Sequence, residues 1–343
     1  MPLVLAGIDE AGYGPLLGPM CVGMAVLRIE AWSEGDPAPD LWKLLRPGVK
    51  RKPGKSGAIA IDDSKKLKLS NDSATLHPLT HLERAVLACL RCHDSAPASP
   101  ADDAALHEAL GVSLAPFDCY SGSPLPLPVA WEAPQIDIAA NVLRSALARS
   151  SVSIVGLRCD TIGEDRFNQT IERTGSKASV SLRAIANHLG ALLSLPLRDG
   201  DSVRLVCDRL GGRTAYATVL ERMAREIDPA ATVTTSDESE RASRYELVIH
   251  ARRIGVLFQT EGDSAHLPIA LASMIAKYTR ELAMARFNRY WATRFAALAS
   301  AQPSPQTCEL KPTAGYRNDA TRWLRDAAPI LTADDRRTLI RRA

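Results

Sequence analysis

The stretch Leu3-Val-Leu-Ala-Gly-Ile-Asp-Glu-Ala-Gly-Tyr-Gly-Pro-Leu-Leu-Gly-Pro19 constrains this chain more than any other. Its apolar run, Leu3 to Ile8, reads as a buried strand. The strand delivers two adjacent carboxylates, Asp9 and Glu10, into a turn punctuated by Gly12, Gly14, Pro15, Gly18 and Pro19, and a second apolar run, Met20 to Ile29, follows. A buried strand that ends in two acids is costly unless the acids are paired or bind a cation. Successive strand side chains point to opposite faces, so both acids reach one cation cluster only if the strand breaks there. Gly12 and Gly14 permit that break, and they also let a nucleic-acid backbone approach the main chain. The same residues would serve as a surface turn with two solvated acids, and the stretch alone leaves both readings open.

The chain has 343 residues, 46% hydrophobic and 24% charged, which is room for one large domain or two ordinary ones with a sizeable core. A net charge of +3 and a pI near 8.5 are mildly basic. Clustering of that charge matters more for nucleic-acid binding than its sum. No apolar run approaches the roughly 20 residues that span a bilayer, so no membrane partner is expected. The N-terminus lacks the charged segment of a secretory signal. Seven scattered cysteines show no framework spacing, which points to a reduced, cytoplasmic compartment.

Two stretches imitate known chemistry. Gly54-Lys-Ser56, at the end of the basic run from Lys50, suggests a phosphate loop. However, Gly48 lies one residue too far back and no apolar strand leads in, so a solvated or phosphate-contacting basic loop is expected. Cys89-Leu-Arg-Cys-His93 has the spacing of covalent haem attachment, but it ends a helix predicted over 76–93 and lacks an export signal. Its cysteines read as core packing. Residues 30–58 and 94–135 are rich in Pro and read as surface insertions, the second with a short helix near 102–110.

Elsewhere the periodicity predicts helices near 137–149, over Glu164–Leu195 and over Ala215–Glu226. Strands are predicted at Val152–Cys159, Ser202–Asp208, Thr232–Thr235, Tyr245–His250 and Ile254–Thr260. Ser202–Asp208 repeats the opening pattern, an apolar strand that ends in an acid and runs into Gly211-Gly212.

The opening segment, Gly7 to Pro19, closely resembles the first motif of the type 2 ribonucleases H, Gly-Ile-Asp-Glu-Ala-Gly-Arg-Gly-Pro followed by Gly-Pro. Tyr13 stands where that family has Arg. Further segments follow in family order. Asp63-Ser-Lys-Lys-Leu67 resembles the second motif, in which Ser64, Lys65 and Lys66 are suited to phosphate contacts. Ser202–Asp208 resembles the strand of the third acid. Around Asp263, residues Pro268, Ala272-Ser273, Ile275-Ala276-Lys277 and Arg280 fall in step with the fourth motif, and Glu261 replaces a Lys. Lys311 to Leu324 resembles a segment of the archaeal and eukaryotic members, with Gly315-Tyr316 on the tyrosine used at the RNA-to-DNA junction and Arg317 in place of Pro.

The resemblance implies an α/β fold, a ribonuclease H-like mixed five-stranded sheet flanked by helices. It implies a catalytic domain over 1–300 with insertions near 30–58 and 94–135, and a C-terminal helical segment, 301–343, carrying the junction-sensing tyrosine. Asp9, Glu10, Asp208 and Asp263 would be the catalytic, metal-binding carboxylates. Oxygen donors of this kind favour Mg²⁺ or Mn²⁺, two ions about 4 Å apart during catalysis. Gly12, Tyr13, Gly14, Ser64, Lys65, Lys66 and Tyr316 would contact the substrate. That substrate would be an RNA/DNA hybrid or duplex DNA with embedded ribonucleotides, cut by a monomer to leave a 3′-hydroxyl and a 5′-phosphate. A binding-only descendant and a DNA-cutting nuclease of the same fold are the alternatives. Tyr13 removes a cation beside the scissile strand, and Glu261 reverses a charge beside Asp263, so junction preference is the property most open to change.

Overall fold

A computed structural model describes residues 1–54, 57–93, 99–301 and 309–342. The Lys55-Ser56 end of the basic run, residues 94–98 of the second proline-rich stretch and Cys308 lie outside them. The strands are β1 (Leu3–Ala11), β2 (Met20–Ile29), β3 (Val49–Lys50), β4 (Ile59–Ala60), β5 (Val152–Ile162), β6 (Ser202–Asp208), β7 (Thr232–Glu238), β8 (Ala242–Ile249) and β9 (Arg252–Gln259). The helices are α1 (Leu41–Leu44), α2 (Ser64–Leu67), α3 (Thr80–Arg91), α4 (Asp103–Leu110), α5 (Asp118–Ser121), α6 (Ala133–Arg149), α7 (Glu164–Thr174), α8 (Ala178–Leu193), α9 (Ala217–Ile227), α10 (Gly262–Ala265), α11 (Leu267–Ala301), α12 (Arg317–Asp326) and α13 (Ala333–Leu339).

Among the described residues, the main sheet has seven strands in the order β5-β2-β1-β6-β9-β8-β7. β2 is antiparallel to β1 and β5, whereas β6 is parallel to β1 and β9 parallel to β6. The sheet is mixed, as the resemblance implied, but it is wider than the five strands expected. The sheet extends beyond β9 by two strands in a meander, β8 against β9 and β7 against β8. The β8–β9 turn carries His250 and Ala251 at φ 47 and 61. Two consecutive left-handed residues are the geometry of a tight hairpin, which glycine or asparagine usually announces. Here neither is present, so the pairing has no strong local signal.

β1 is central and covered on both faces, which is why its sequence is a continuous apolar run rather than an alternation. One face packs on α3, α6 and the first half of α11. The other packs on α7, α8 and α9. A third cluster joins the second half of α11 to α5, α12 and α13. The predicted helix over Glu164–Leu195 is two helices, because Gly175 takes a left-handed conformation, φ 66, and closes α7. Parts of both proline-rich stretches reach into the core. Leu41, Trp42, Leu45 and Val49 from the first, and Leu106, Leu110 and Leu127 from the second, are buried in the α11-side core.

α11 lies on the sheet at backbone contact. A Cβ on Gly7 would meet Pro268 C and Ile269 N at 2.3 Å, and one on Gly23 would meet the Ala272 carbonyl oxygen at 2.1 Å. Neither neighbour is a side chain that can swing away. Gly23→Ala is therefore expected to lower stability by about 3 kcal/mol, the upper range of overpacking, in urea unfolding. Unchanged stability would mean that the helix can lift from the sheet without loss.

Candidate active site

Parallel pairing of β1 and β6 runs as far as Ile8 opposite Cys207, and β6 pairs with β9 as far as Asp208 opposite Gln259. The next residues, Asp9 and Glu10 on β1 and Asp208 on β6, therefore share one edge of the sheet. α10 follows β9 directly and adds Asp263. The Gly262 N–H donates to Asp208 Oδ1 at 3.1 Å, which ties α10 to β6. The Glu10 N–H donates to Asp9 Oδ1 at 2.8 Å. Carboxyl-terminal strand ends are where open α/β sheets commonly bind ligands.

All of these carboxyls are harder to ionise than usual. Burial, then Glu10, pushes Asp9 well up, against a hydrogen bond from Ser273. Burial and Asp208 raise Glu10 to about 7, and Lys65 opposes them. Burial raises Asp208, with Asp63 adding to it and Lys65 opposing. Burial raises Asp263, followed by Asp63 and Asp208, with Lys66 opposing. Carboxylates that repel one another at a half-buried edge call for a cation. The donors are all carboxylate oxygens, which suits Mg²⁺ or Mn²⁺. Among the described residues, no three His, Cys, Asp or Glu side chains already form a cage for a metal ion. Consecutive Asp9 and Glu10 leave opposite faces of the strand, so both reach one centre only by rotamer change or with substrate between them.

Asp63 is a fifth acid at this edge that the sequence reading did not assign. It caps α2, its carboxylate accepting from the Lys65 N–H at 2.9 Å. The available signal was its place before a short polar-charged helix. Lys65 and Lys66 are exposed on α2, with Lys66 Nζ 3.8 Å from Asp62. Ser64 differs from expectation. It is buried, and its hydroxyl bonds that of Ser273 at 2.9 Å, so it lies beneath Asp9 rather than at the surface. As N1 of the helix it turns inward while the two lysines turn out. Glu261 is exposed at a left-handed turn position, φ 55.

The Gly12-Tyr13-Gly14 turn borders the acids. Gly12 has φ 87, and a Cβ there would lie 2.5 Å from Arg280 Nε. Gly14 is open to solvent, with nothing near its Cα hydrogens. Burial raises the Tyr13 phenol, as does the charge of Glu10, while Arg341 opposes them. Arg341 was not legible in the sequence, where it is one of several C-terminal arginines. Its guanidinium is buried and donates to Gly12 O at 2.5 Å, Tyr13 O at 2.9 Å and Gly18 O at 3.4 Å. Asn168 holds the same segment, donating to Ile340 O at 2.9 Å and accepting from the Arg342 N–H at 2.7 Å.

Gly315-Tyr316 returns to the same turn. Gly315 O accepts from the Leu16 and Leu17 N–H groups at 2.8 and 3.2 Å. Arg280, fully buried, donates to Leu17 O and Ala314 O and lies 5.6 Å from the Tyr316 ring centre. Lys277 Nζ is 5.7 Å from that ring and pairs with Glu281 at 2.9 Å. Tyr316 itself is 48% exposed and therefore able to meet a ligand.

No family model matches this sequence, and neither does any curated protein. The chain is similar to solved structures. The ribonuclease H2 from Pyrococcus horikoshii OT3 is 14% identical, over 89% of this chain and 83% of that one, with a TM-score of 0.34. The RNase HII from Archaeoglobus fulgidus, solved with PCNA, is 12% identical, over 99% and 94%, with a TM-score of 0.36. Bst-RNase HIII in complex with Mn²⁺ is 13% identical, over 96% and 70%, also with a TM-score of 0.36.

Arg341→Ala removes three donors from the Gly12–Gly18 turn and leaves their carbonyls without them. Each unsatisfied buried group costs about 1–3 kcal/mol. The expected loss is about 3 kcal/mol in urea unfolding, with Arg341→Lys recovering part of it. Equal stability of the alanine variant would contradict this role.

Proposed function

We propose that this chain is a type 2 ribonuclease H, a metal-dependent endonuclease that hydrolyses the RNA strand of hybrids or cuts 5′ of a ribonucleotide embedded in duplex DNA. The observation that supports the reading is that Asp9, Glu10, Asp208 and Asp263 share one sheet edge, bordered by the Gly12–Gly14 turn and Tyr316. The four acids would hold Mg²⁺ or Mn²⁺. Such ions, when bound, activate water and neutralise charge on the leaving oxygen of an in-line displacement.

The chain's own residues account for the rest. Gly262 and Ser273 orient Asp208 and Asp9 by hydrogen bonds. Arg341 and Arg280 fix the turn from behind, so that the amides of Gly12 to Gly14 can meet the sugar-phosphate backbone. Exposed Lys65 and Lys66 meet phosphates, and Tyr316 stacks on the sugar or base at the junction. Recognition rests on the 2′-hydroxyl, which distinguishes RNA from DNA at a given position. The catalytic unit would span 1–300, and 301–343 would supply Tyr316.

The test is cleavage of end-labelled RNA/DNA, RNA/RNA and DNA/DNA duplexes of one sequence in Mg²⁺ and in Mn²⁺. Cutting confined to the hybrid, with 3′-hydroxyl products, is expected. Cutting of the all-DNA duplex would replace this reading with a DNA nuclease.

A further inference from the structure

The chain holds no acidic residue between Asp40 and Asp62, while that interval carries six basic ones, Lys43, Arg46, Lys50, Arg51, Lys52 and Lys55. In the structure Lys43, Arg46 and Lys52 are exposed around one groove that Trp42, Pro47 and Arg51 also line. Among the described residues the one acid lining it is Asp40, an exposed partner of Lys43 at 3.6 Å. Exposed pairs of that kind contribute at most about 1 kcal/mol and leave the field of the surface positive.

This surface is braced to the candidate active site. The Arg51 guanidinium stacks on Trp42 at 3.5 Å, donates to Ser264 O at 2.9 Å and lies 3.8 Å from Asp62. Ser264 is the residue after Asp263. Trp42 is buried and donates from its indole to Ile61 O at 2.8 Å. β3 and β4 pair in parallel, Val49 with Ile59 and Lys50 with Ala60, and β4 runs directly into Asp62, Asp63 and the lysines of α2. The described part of the basic interval is therefore a shelf attached to the Asp263 side of the acid edge.

We propose that the shelf of Lys43, Arg46 and Lys52 carries the phosphate backbone of a duplex where it runs beyond the cleavage point on the Asp263 side. The inference rests on the nuclease reading and adds a second contact surface to it. Phosphate contacts of this type position a duplex without reading its sequence, and each one neutralised adds about 0.9 to the slope of log affinity against log salt.

The test compares the unsubstituted chain with the triple variant Lys43→Ala, Arg46→Ala, Lys52→Ala, in EDTA so that nothing is cut. Binding is read by fluorescence anisotropy over a salt series. One probe is a hybrid of roughly one helical turn, about 10 bp, and the other is about three times longer. The expected result is a slope shallower by about 2.7 on the long hybrid, with little change on the short one. The control Arg222→Ala, Arg225→Ala, on the opposite face of the sheet, should leave both slopes alone. Matching thermal unfolding of the variants, whose substituted residues are all exposed, shows that the fold is kept. An unchanged slope on the long hybrid overturns the proposal, whether or not the variant loses adsorption to anionic vesicles. So does an equal loss on both lengths. Cleavage by the unsubstituted chain is scored separately. A slope difference without cleavage sinks the nuclease reading and leaves the shelf, whereas cleavage without a slope difference sinks the shelf alone.

Discussion

Asp208→Asn is expected to reduce cleavage about a thousand-fold or more while leaving the fold at least as stable as before. Asp208 sits at the end of β6, where its Oδ1 accepts from the Gly262 N–H. Asparagine keeps that acceptor and the side-chain volume, so α10 stays in place. What is lost is one negative charge from the set that would hold the cations, and losing a preorganised electrostatic element of this kind has large kinetic effects. The sign of the stability change separates the two roles. Burial, with help from Asp63, raises the Asp208 carboxyl above its usual range. A folded-state pKa above the unfolded one means that ionisation opposes folding, so at neutral pH a neutral amide relieves the penalty. In metal-free buffer the variant should therefore melt no lower than the parent. Added Mg²⁺ or Mn²⁺ should raise the Tm of the parent, since a ligand at a hundred times its Kd stabilises by about 2.7 kcal/mol. The Tm of the variant should rise less. An inactive variant that also melted lower, with no metal effect on the parent, would make Asp208 a structural residue.

Arg286→Ala should give the largest loss of stability, about 3–5 kcal/mol, the usual cost of orphaning a buried charge. Arg286 lies on α11 and meets Asp103 at the start of α4 by two bonds, Nε to Oδ2 and Nη2 to Oδ1, both at 2.6 Å. Its Nη1 also donates to Tyr120 O and Gly122 O at 2.8 and 3.1 Å. Asp103 is fully buried, and without the arginine the Leu125 N–H is its one remaining hydrogen-bond donor among the described residues. The pair thus fastens the second proline-rich stretch to the long helix. Glu83 does similar work nearby, accepting from the Val129 and Ala130 N–H groups and from the Tyr278 hydroxyl. The double variant Arg286→Met, Asp103→Leu should recover most of the loss, because replacing a whole buried pair by apolar groups is often nearly neutral. Urea unfolding of the single and double variants checks this. A double variant as unstable as the single would place the loss in the carbonyl contacts rather than in the uncompensated charge.

The acid edge was legible in the sequence because it combines two unusual local patterns. Leu3 to Glu10 and Ser202 to Asp208 are apolar runs ending in acids, and each reads as a strand end without help from the rest of the chain. What stayed hidden depends on contacts between distant residues. Arg341 meets Gly12 across almost the whole length of the chain, and nothing in its neighbourhood marks it. Ser64 reads as a phosphate contact within the second motif, yet the first residue of a short helix can turn inward, and here it meets Ser273. Asp63 caps α2, and only the fold brings its charge close enough to raise the carboxyls of Asp208 and Asp263. The proline-rich stretches looked loose by composition, but a few short anchors within them, Leu41, Trp42 and Leu45 in the first and Asp103 and Leu106 in the second, are buried.

The most direct test of the central claim is incubation of a labelled DNA duplex carrying one ribonucleotide with the purified chain in Mg²⁺ and then in Mn²⁺. Asp208→Asn and the all-DNA duplex serve as controls. A single cut 5′ of the ribonucleotide, leaving a 3′-hydroxyl and abolished in the variant, is the predicted result. Retained duplex binding without any cut, in either metal, would contradict the claim and make this chain a nucleic-acid-binding protein.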